Sequence, residues 1–543
     1  MKKSSAMSMI LAAMLLSSTA LSGCLQISEP APNSSEETMD RAEASDSFIL
    51  SGEKGGAYEK APDTSLEPLT LKYFWPCSLQ KAEALASVQA AVDRYLTAKI
   101  NTRLELNPVD WGTWFDKYPV ILASGEQADI MFSACWSGYV AEAGRNSFLE
   151  LTDLLAQHGQ GIIGSLAPEF LKAATIRGKL FAIPQNKDAA QGYALYLQKD
   201  IVEKAGVKPE GIKALDDLEP ILEYVRDYEK SLIPLATTLD TGAMYVCTRA
   251  GFAEGIGDFS KYEGGYDQWG SVVVYDKIND KFISLDPSVS NAWMAYGKLM
   301  NRFGKKGFFM KDILTNKSVD AGKLWAEGKT WFTTSSDVPG QLETIRNSVK
   351  KDILMIPMLP SVMNTNSLTG SLTAIPRSAI SPARSMMVIN LMHKEKELVN
   401  LLVNGVEGKN YVKTGENTIR LPDGASVKSD TGWDPASWWL VGNAFLNLVW
   451  DKDLPDRWVK VQEYNAKSPV SPIVGFNFDS SHVKSEMAAT TNVFEQYKRL
   501  IFTGSGDTEN YVTMMFRKMK DAGLDKIVAE YNIQLTEWKD AGR

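Results

Sequence analysis

Alternating and helical spacings of apolar residues divide the chain after residue 68 into strands and helices. Leu69–Trp75 alternates and is rich in aromatic residues, which predicts a strand. Ser78–Ile100 repeats apolar residues every three or four positions and predicts a helix. Thr102–Pro108 predicts the next strand, and Asp110 is a candidate cap for the helix after it. This order of elements predicts an α/β fold with a mainly parallel sheet.

The same spacing rules predict elements further along the chain. Short apolar runs predict strands at Ala128–Trp136, Leu180–Ile183, Tyr193–Leu197, Gly328–Thr334, Ile353–Met358 and Leu372–Ile375. Helical spacing predicts helices at Gly211–Tyr228, Ser290–Phe303, Ala321–Glu327 and Ser381–Val403. Turn residues between Ser271–Tyr275 and Lys281–Leu285 predict a β-hairpin. Strands and helices thus continue to alternate towards the C-terminal part.

The N-terminus has the pattern of a bacterial lipoprotein signal. Lys2 and Lys3 precede an apolar run, Met7–Ala20, that is too short to cross a bilayer core of about 30 Å. Leu21-Ser22-Gly23-Cys24 then matches a lipobox, in which small residues precede a lipid-modified cysteine. We expect residues 1–23 to be a signal peptide. The alternative is a secretory signal with an incidental cysteine.

The segment after this signal predicts a lipid anchor and a tether. Lipidation of Cys24 would hold the mature protein at the extracytoplasmic face of the cell membrane, because two or more acyl chains anchor a protein stably. Residues 24–68 are rich in Ser, Glu, Ala and Pro and contain few large apolar residues. This composition predicts a flexible tether between the membrane and the folded part.

Length and charge narrow the class of protein. The chain has 543 residues, and at roughly 100–200 residues per domain this predicts more than one lobe. The net charge is -8, with acidic and basic residues interspersed, so we expect no nucleic-acid partner. Cys77, Cys135 and Cys247 lie beyond the anchor, and no Cys-x-x-Cys pair occurs. We expect free thiols, with one disulfide as the alternative.

Several short sequence motifs occur in the same order as in a known protein family. They are Trp111–Trp114, Ala123–Ile130, Leu149–Leu155 and the stretch Gly178–Asp200. This set resembles the extracellular solute-binding proteins of the maltose-binding type. The resemblance implies a two-lobed, periplasmic-binding-protein-like clamp of type II, with lobes joined by hinge crossovers. It implies a first lobe of residues 69–185 and 376–430 and a second lobe of residues 186–375.

A second set of strings resembles one lipoprotein subgroup of that family. It comprises Asn404–Tyr411, Trp438–Asn443, Ile473–Asp479 and Ala522–Ile527. The subgroup carries a C-terminal extension of unassigned function, here residues 431–543, which we expect to be helical and to contribute to the second lobe and the cleft. The resemblance implies the lipid-anchored substrate-binding subunit of an ABC importer. Its partners would be membrane permease subunits, and we expect a monomer.

The resemblance also implies a sugar as ligand, and the aromatic content fits one. Aromatic rings stack on the apolar faces of pyranose rings, while polar groups bind the hydroxyls. The chain has 14 Trp, and the candidates, most of them at a strand end or just after one, are Trp75, Trp111, Trp136, Trp331, Trp438 and Trp439. In the family a C-terminal tryptophan closes over the sugar. Core packing is the alternative for each single tryptophan.

Polar candidates come from two segments. Asn186 and Asp188 lie on the expected crossover, and Ser335 and Asp337 lie on a segment that resembles the ligand loop of the second lobe. A carboxylate is a strong acceptor for sugar hydroxyls, which favours the two aspartates. The alternative for the crossover residues is a solvated turn.

Catalytic patterns are scarce in the sequence. The three histidines, His158, His393 and His482, have no metal-pair spacing, and neither Gly-x-Ser-x-Gly nor a P-loop string occurs. We therefore expect a binding protein for an oligosaccharide, not an enzyme, with no cofactor and no metal. The alternatives are a surface glycoside hydrolase with two carboxylates, a sensor or adhesin without a permease, and a binding protein for a peptide or other small solute.

Overall fold

The computed structural model describes residues 65–78, 80–236, 262–264, 272–315, 321–435 and 438–542. The expected signal peptide, Cys24, nearly all of the expected tether and Cys247 lie outside these residues. Within them, no helix combines the length and the apolar character that crossing a membrane requires. Cys77 and Cys135 are both free thiols, so these two cysteines do not pair with each other.

A mixed sheet forms the centre of the first lobe. In spatial order its strands are β2 (Thr102–Asp110), β1 (Leu69–Cys77), β3 (Ile130–Ser133), β13 (Leu372–Ala374) and β6 (Ala182–Pro184). β1 runs parallel to β2 and β3, whereas β13 runs antiparallel to β3 and β6. Four of the five strands therefore run in one direction, as expected of a mainly parallel sheet. Only β13 runs in the opposite direction, because it returns from the second lobe.

The helices around this sheet begin near their predicted positions. α1 (Ala82–Ile100) buries its apolar face in the first-lobe core. α2 (Trp111–Ser124) starts after Asp110, whose Oδ1 accepts a hydrogen bond from the N–H of Gly112 at 2.9 Å. Asp110 is therefore the helix cap, as predicted. Shorter helices follow at α3 (Tyr139–Gly144), α4 (Thr152–His158), α5 (Gln160–Ser165) and α6 (Pro168–Ala174).

The second lobe is built on antiparallel sheets. β7 (Gln191–Gln198) lies between β11 (Phe332–Ser336) and β12 (Ile353–Val362) and runs antiparallel to both. β9 (Val273–Asp276) and β10 (Lys281–Ser284) form the predicted hairpin. The remaining short strands of the described chain are β4 (Thr175–Ile176), β5 (Lys179–Leu180), β8 (Tyr262–Gly264), β14 (Val412–Lys413), β15 (Thr418–Arg420) and β16 (Val449–Trp450).

One helix of the second lobe starts later than its apolar spacing predicts. The helices of this part are α7 (Lys199–Lys204), α8 (Glu219–Tyr228), α9 (Ala292–Lys305), α10 (Ala321–Ala326), α11 (Gln341–Val349) and α12 (Thr365–Leu368). The expected helix from Gly211 begins only at Glu219, after two 3-10 turns. Pro220 explains the difference, because proline fits the first turn of a helix and interrupts one that begins earlier.

The expected long helix Ser381–Val403 is broken into two. α13 (Pro382–Lys394) and α14 (Lys396–Asn404) are separated by Glu395, which has an extended backbone. The Glu395 carboxylate accepts a hydrogen bond from the Tyr95 hydroxyl at 2.8 Å and lies 3.3 Å from Lys99 Nζ. The break therefore faces the end of α1, a long-range contact that local spacing does not reveal.

The C-terminal helices complete the core of the second lobe. They are α15 (Arg457–Lys467), α16 (Lys484–Phe502), α17 (Thr508–Asp521) and α18 (Leu524–Asp540). Buried side chains of α16, α17 and α18 belong to one hydrophobic cluster with residues of the second lobe. Phe282 of β10 packs on Tyr531 of α18 with ring centroids 4.6 Å apart. The first lobe has its own cluster, so the described residues form two main hydrophobic cores.

Candidate ligand-binding cleft

The carboxyl ends of the first-lobe strands define the candidate site. Ser133, at the end of β3, lies opposite Leu372 at the beginning of antiparallel β13. Leu372 also lies opposite Pro184, the last residue of β6. The two connections between the lobes, residues 185–190 and 363–371, therefore leave the sheet at one edge, which we call the crossover edge. Ligands of open α/β sheets bind at such strand ends.

Three half-buried tryptophans lie together at the crossover edge. Trp111 begins α2 directly after β2, Trp136 lies in a 3-10 turn after β3, and Trp439 lies in a second 3-10 turn. The ring centroids of the three pairs are 6.1, 6.1 and 6.2 Å apart. We call Trp111, Trp136 and Trp439 the aromatic wall. The structure thus brings together three tryptophans that the sequence had singled out separately.

Hydrogen bonds to the second connection and a buried ring fix the position of the aromatic wall. Trp136 Nε1 donates to the carbonyl oxygen of Gly370 at 2.7 Å, and the Ser371 hydroxyl donates to the carbonyl oxygen of Trp439 at 2.6 Å. Phe132 is fully buried beneath them, with ring centroids 5.7 Å from Trp136 and 6.1 Å from Trp439. Because Gly370 and Ser371 belong to the second connection, the position of the wall is tied to the segment that returns from the second lobe.

Trp75 and Trp331 lie in the hydrophobic cores and not in the cleft. Trp75 is 2% exposed, and its ring stacks on Tyr73 with centroids 4.7 Å apart. Trp331 is fully buried, and its Nε1 donates to the carbonyl oxygen of Pro234 at 2.7 Å. A strand end places a residue near the cleft, but both of these side chains point into the cores. We therefore remove both from the candidate ligand-binding residues.

Trp438 belongs to a second aromatic cluster beside the wall. Its ring packs on Trp458 with centroids 5.2 Å apart, and Phe445 lies 6.3 Å from Trp458. The guanidinium of Arg457 lies 5.1 Å from the ring centres of both tryptophans, a cation–π arrangement. Adjacent tryptophans therefore serve different clusters, and Trp438 is half-buried within the second one.

The first connection carries the predicted residues Asn186 and Asp188. Asn186 is 7% exposed, its Nδ2 donates to the carbonyl of Ser165 at 2.6 Å, and its N–H donates to that of Gly442 at 2.8 Å. Asp188 accepts from Nζ of the buried Lys187 at 3.1 Å. The Asn186 amide is thus engaged within the first lobe, whereas Asp188 offers a paired carboxylate at the crossover edge.

Ser335 and Asp337 lie at the end of the second lobe that faces the connections. β11 ends opposite Tyr193, at the start of β7. The Ser335 hydroxyl accepts a hydrogen bond from Gln341 Nε2 at 3.0 Å. Asp337 accepts one from the Tyr464 hydroxyl. Burial raises the pKa of the Asp337 carboxyl above its ordinary value, and the Tyr464 hydrogen bond opposes that rise.

The structure adds residues that sequence reasoning missed. Phe115 is 59% exposed and its ring lies 6.2 Å from Trp136, so it extends the aromatic wall. It follows Trp111 by four positions in α2, a spacing that places both on one helix face and that could have identified it. Tyr464 gave no such signal, because its contact with Asp337 joins segments that are distant in sequence.

The two cores, the two connections and the cleft between them are the architecture of two-lobed solute-binding proteins. Residues 472–540 match a family described as a domain of unknown function, DUF3502. A relative from Streptococcus pneumoniae serotype 4 (strain ATCC BAA-334 / TIGR4) is described as a carbohydrate ABC transporter substrate-binding protein. It is 24% identical over 494 residues, which cover 90% of this chain and 94% of the relative.

Solved structures of similar fold include the N-glycan transport solute binding protein (NgtS) from Streptococcus pneumoniae. It is 21% identical, with a TM-score of 0.71, and the match covers 88% of this chain and 100% of that chain. The same protein in complex with Man1GlcNAc is 22% identical, with a TM-score of 0.67 and coverage of 86% and 99%. At this identity the likeness shows the fold, and it confirms the expected two-lobed clamp.

Proposed function

We propose that this chain is the substrate-binding subunit of an ABC importer and that it binds an oligosaccharide between its lobes. The aromatic wall is the observation that carries the proposal. Three half-buried indoles at the crossover edge offer the apolar faces on which pyranose rings stack. The similar proteins point the same way, since one is described as a carbohydrate-transport protein and one is solved with a glycan.

Polar groups on both sides of the cleft would complete the binding site. Asp188, with Lys187 beside it, lies on the first connection, and Asp337 and Ser335 lie on the second lobe. Carboxylate and hydroxyl groups accept hydrogen bonds from sugar hydroxyls. A ligand that contacts both lobes stabilises the closed state more than the open one, and this difference drives closure. The closed form would then deliver the sugar to the permease subunits.

We propose the extracytoplasmic face of the membrane as the location, with a lipid anchor at Cys24. The supporting observation is the lipobox Leu21–Cys24, followed by a polar segment before the folded part. We also propose that the protein acts as a monomer and that it catalyses no reaction. Its similar proteins are binding proteins and not enzymes.

Isothermal titration calorimetry of the mature chain tests the proposal. The protein would begin at residue 24 and carry Cys24→Ser, which prevents lipidation, and the panel would include gluco-oligosaccharides, mannosyl-N-acetylglucosamine oligosaccharides and peptides. We expect saturable binding of one class of oligosaccharide and an affinity at least tenfold lower in Trp111→Ala. The matched control is Trp450→Ala, because Trp450 is also half-buried but packs on the separate cluster of Tyr411, Ile419 and Leu448.

Three results would contradict the assignment. Binding of peptides alone would refute a carbohydrate ligand, but it would still fit a two-lobed protein that closes on its ligand. Release of shorter sugars during the incubation, followed by chromatography, would indicate a hydrolase. Sugar binding that Trp111→Ala and Trp450→Ala weaken equally would show that the aromatic wall is not the binding surface.

A further inference from the structure

Helix α15 lies against the first connection between the lobes. The N–H groups of Ala189 and Ala190 donate to Oδ1 of Asn465 at 3.0 and 3.2 Å. Nδ2 of Asn465 donates to the carbonyl of Lys187 at 2.8 Å. Ala189 and Ala190 are fully buried. Buried backbone groups need partners, and this irregular segment obtains three of them from one side chain.

The preceding residue of α15 contacts the start of β7, where the chain enters the second lobe after the first connection. The Tyr464 hydroxyl accepts from the N–H of Gly192 at 3.0 Å and donates to the Asp337 carboxylate. The N–H of Asp337 in turn donates to the carbonyl of Gly192 at 3.2 Å. Space here is tight, since a Cβ on Gly192 would lie 2.7 Å from both Asp337 Oδ1 and the Leu359 carbonyl oxygen.

The residues after α15 hold the second connection. The Ser468 hydroxyl oxygen lies 2.6 Å from that of Ser361, near the end of β12. Met363 then donates its N–H to the carbonyl of Pro469 at 2.9 Å and accepts from the N–H of Ser471 at 2.8 Å. One short stretch, residues 464–471, therefore contacts both connections and the ligand loop of the second lobe. We call this stretch the hinge clamp.

We propose that the hinge clamp sets the open–closed equilibrium and that Tyr464 and Asn465 are positioning residues for the ligand cleft. Asn465 fixes the path of the first connection, next to Asp188. Tyr464 holds Asp337 against Gly192, so that the ligand loop stays with the start of β7, directly after the first connection. The effect on glycan affinity rests on the proposed function above, whereas the effect on the arrangement of the lobes does not.

The test uses conservative variants of the mature Cys24→Ser chain. Tyr464→Phe removes only the hydroxyl, and Asn465→Asp keeps the acceptor for Ala189 and Ala190 that Asn465→Ala loses. The matched control is Glu463→Gln, which changes an exposed ion pair with Lys467 on the same helix. Calorimetry gives the affinity for the best oligosaccharide. Small-angle X-ray scattering without ligand gives the separation of the lobes.

We expect Tyr464→Phe and Asn465→Ala each to weaken glycan binding at least tenfold, because each removes more than one hydrogen bond and one well-oriented bond corresponds to about tenfold. Both should change the scattering of the unliganded protein, with Asn465→Asp closer to wild type and Glu463→Gln indistinguishable from it.

Unchanged scattering in folded Tyr464→Phe and Asn465→Ala would overturn the proposed role of the hinge clamp. If the wild type binds no oligosaccharide, the proposed function fails. In that case the scattering of the same variants still tests whether the hinge clamp sets the arrangement of the lobes.

Discussion

Replacement of His393 by glutamine is expected to remove a pH-dependent loss of stability. His393 lies in α13 and is 1% exposed. Its Nδ1 lies 3.2 Å from the hydroxyl oxygen of Ser165, and its Nε2 has no hydrogen-bond partner among the described residues. Burial lowers the pKa of the imidazole from 6.5 to about 3, so the folded protein keeps the ring neutral near pH 5.

The magnitude follows from the two pKa values. In the unfolded chain the imidazole takes up a proton as the pH falls below 6.5, and in the folded chain it does not until the pH nears 3. Protonation therefore stabilises the unfolded state in this window and lowers the free energy of unfolding. Between pH 8 and pH 5 the loss is about 2 kcal/mol, since one pKa unit corresponds to about 1.4 kcal/mol.

Urea unfolding at pH 8 and pH 5 measures this loss. Carboxyl groups also change stability over this range, so the quantity to compare is the difference between wild type and His393→Gln at each pH. We expect this difference to shift by about 2 kcal/mol in favour of the variant at pH 5. His482→Gln, at an exposed histidine, controls for loss of an imidazole from the surface. An unchanged difference for His393→Gln would refute the reasoning.

Four further changes test the cleft, the start of β7 and the second-lobe core. Trp439→Ala should weaken oligosaccharide binding at least tenfold in calorimetry, whereas Trp331→Ala should lower the free energy of unfolding in urea by about 3–5 kcal/mol because it empties a buried site. Gly192→Ala should lower the thermal midpoint, because its Cβ meets a carbonyl oxygen at 2.7 Å; Gly164→Ala, with open space around it, should not. A chain ending at residue 471 should aggregate in size-exclusion chromatography, because it lacks the helices that cover the second-lobe core.

The local sequence pattern predicted those helices and strands that depend on residues close to them in sequence. The strand at the start of the folded part, the face of α1 and the cap at Asp110 follow from spacing and from side chains within a few residues. The break at Glu395 was missed because its carboxylate faces Tyr95 and Lys99, far away in sequence. The direction of β13 was missed for a similar reason, since it depends on a return from the other lobe.

The residues of the candidate site likewise comprise some that local pattern identified and others that it could not identify. Strand ends identified Trp111 and Trp136, because the rule concerns the position of a residue along a strand, whereas Trp439 was identified through the family resemblance. The rule gives no side-chain direction, so it also selected Trp75 and Trp331, which point into the cores. Tyr464 and Asn465 escaped prediction altogether. Their partners belong to segments that are distant in sequence, and no local spacing connects them.

The C-terminal segment explains why these distant contacts matter. The hairpin β9–β10 has a buried face that needs a cover, and Asn532 of α18 binds both the N–H and the carbonyl of Phe282 at 2.8 and 2.9 Å. The same segment then reaches back through the hinge clamp to both connections, and through Trp439 to the aromatic wall. Residues 439–540 contact the aromatic wall, the hinge and the second-lobe core in turn. Packing changes within residues 439–471, which precede the domain of unknown function, should therefore alter ligand affinity as well as stability.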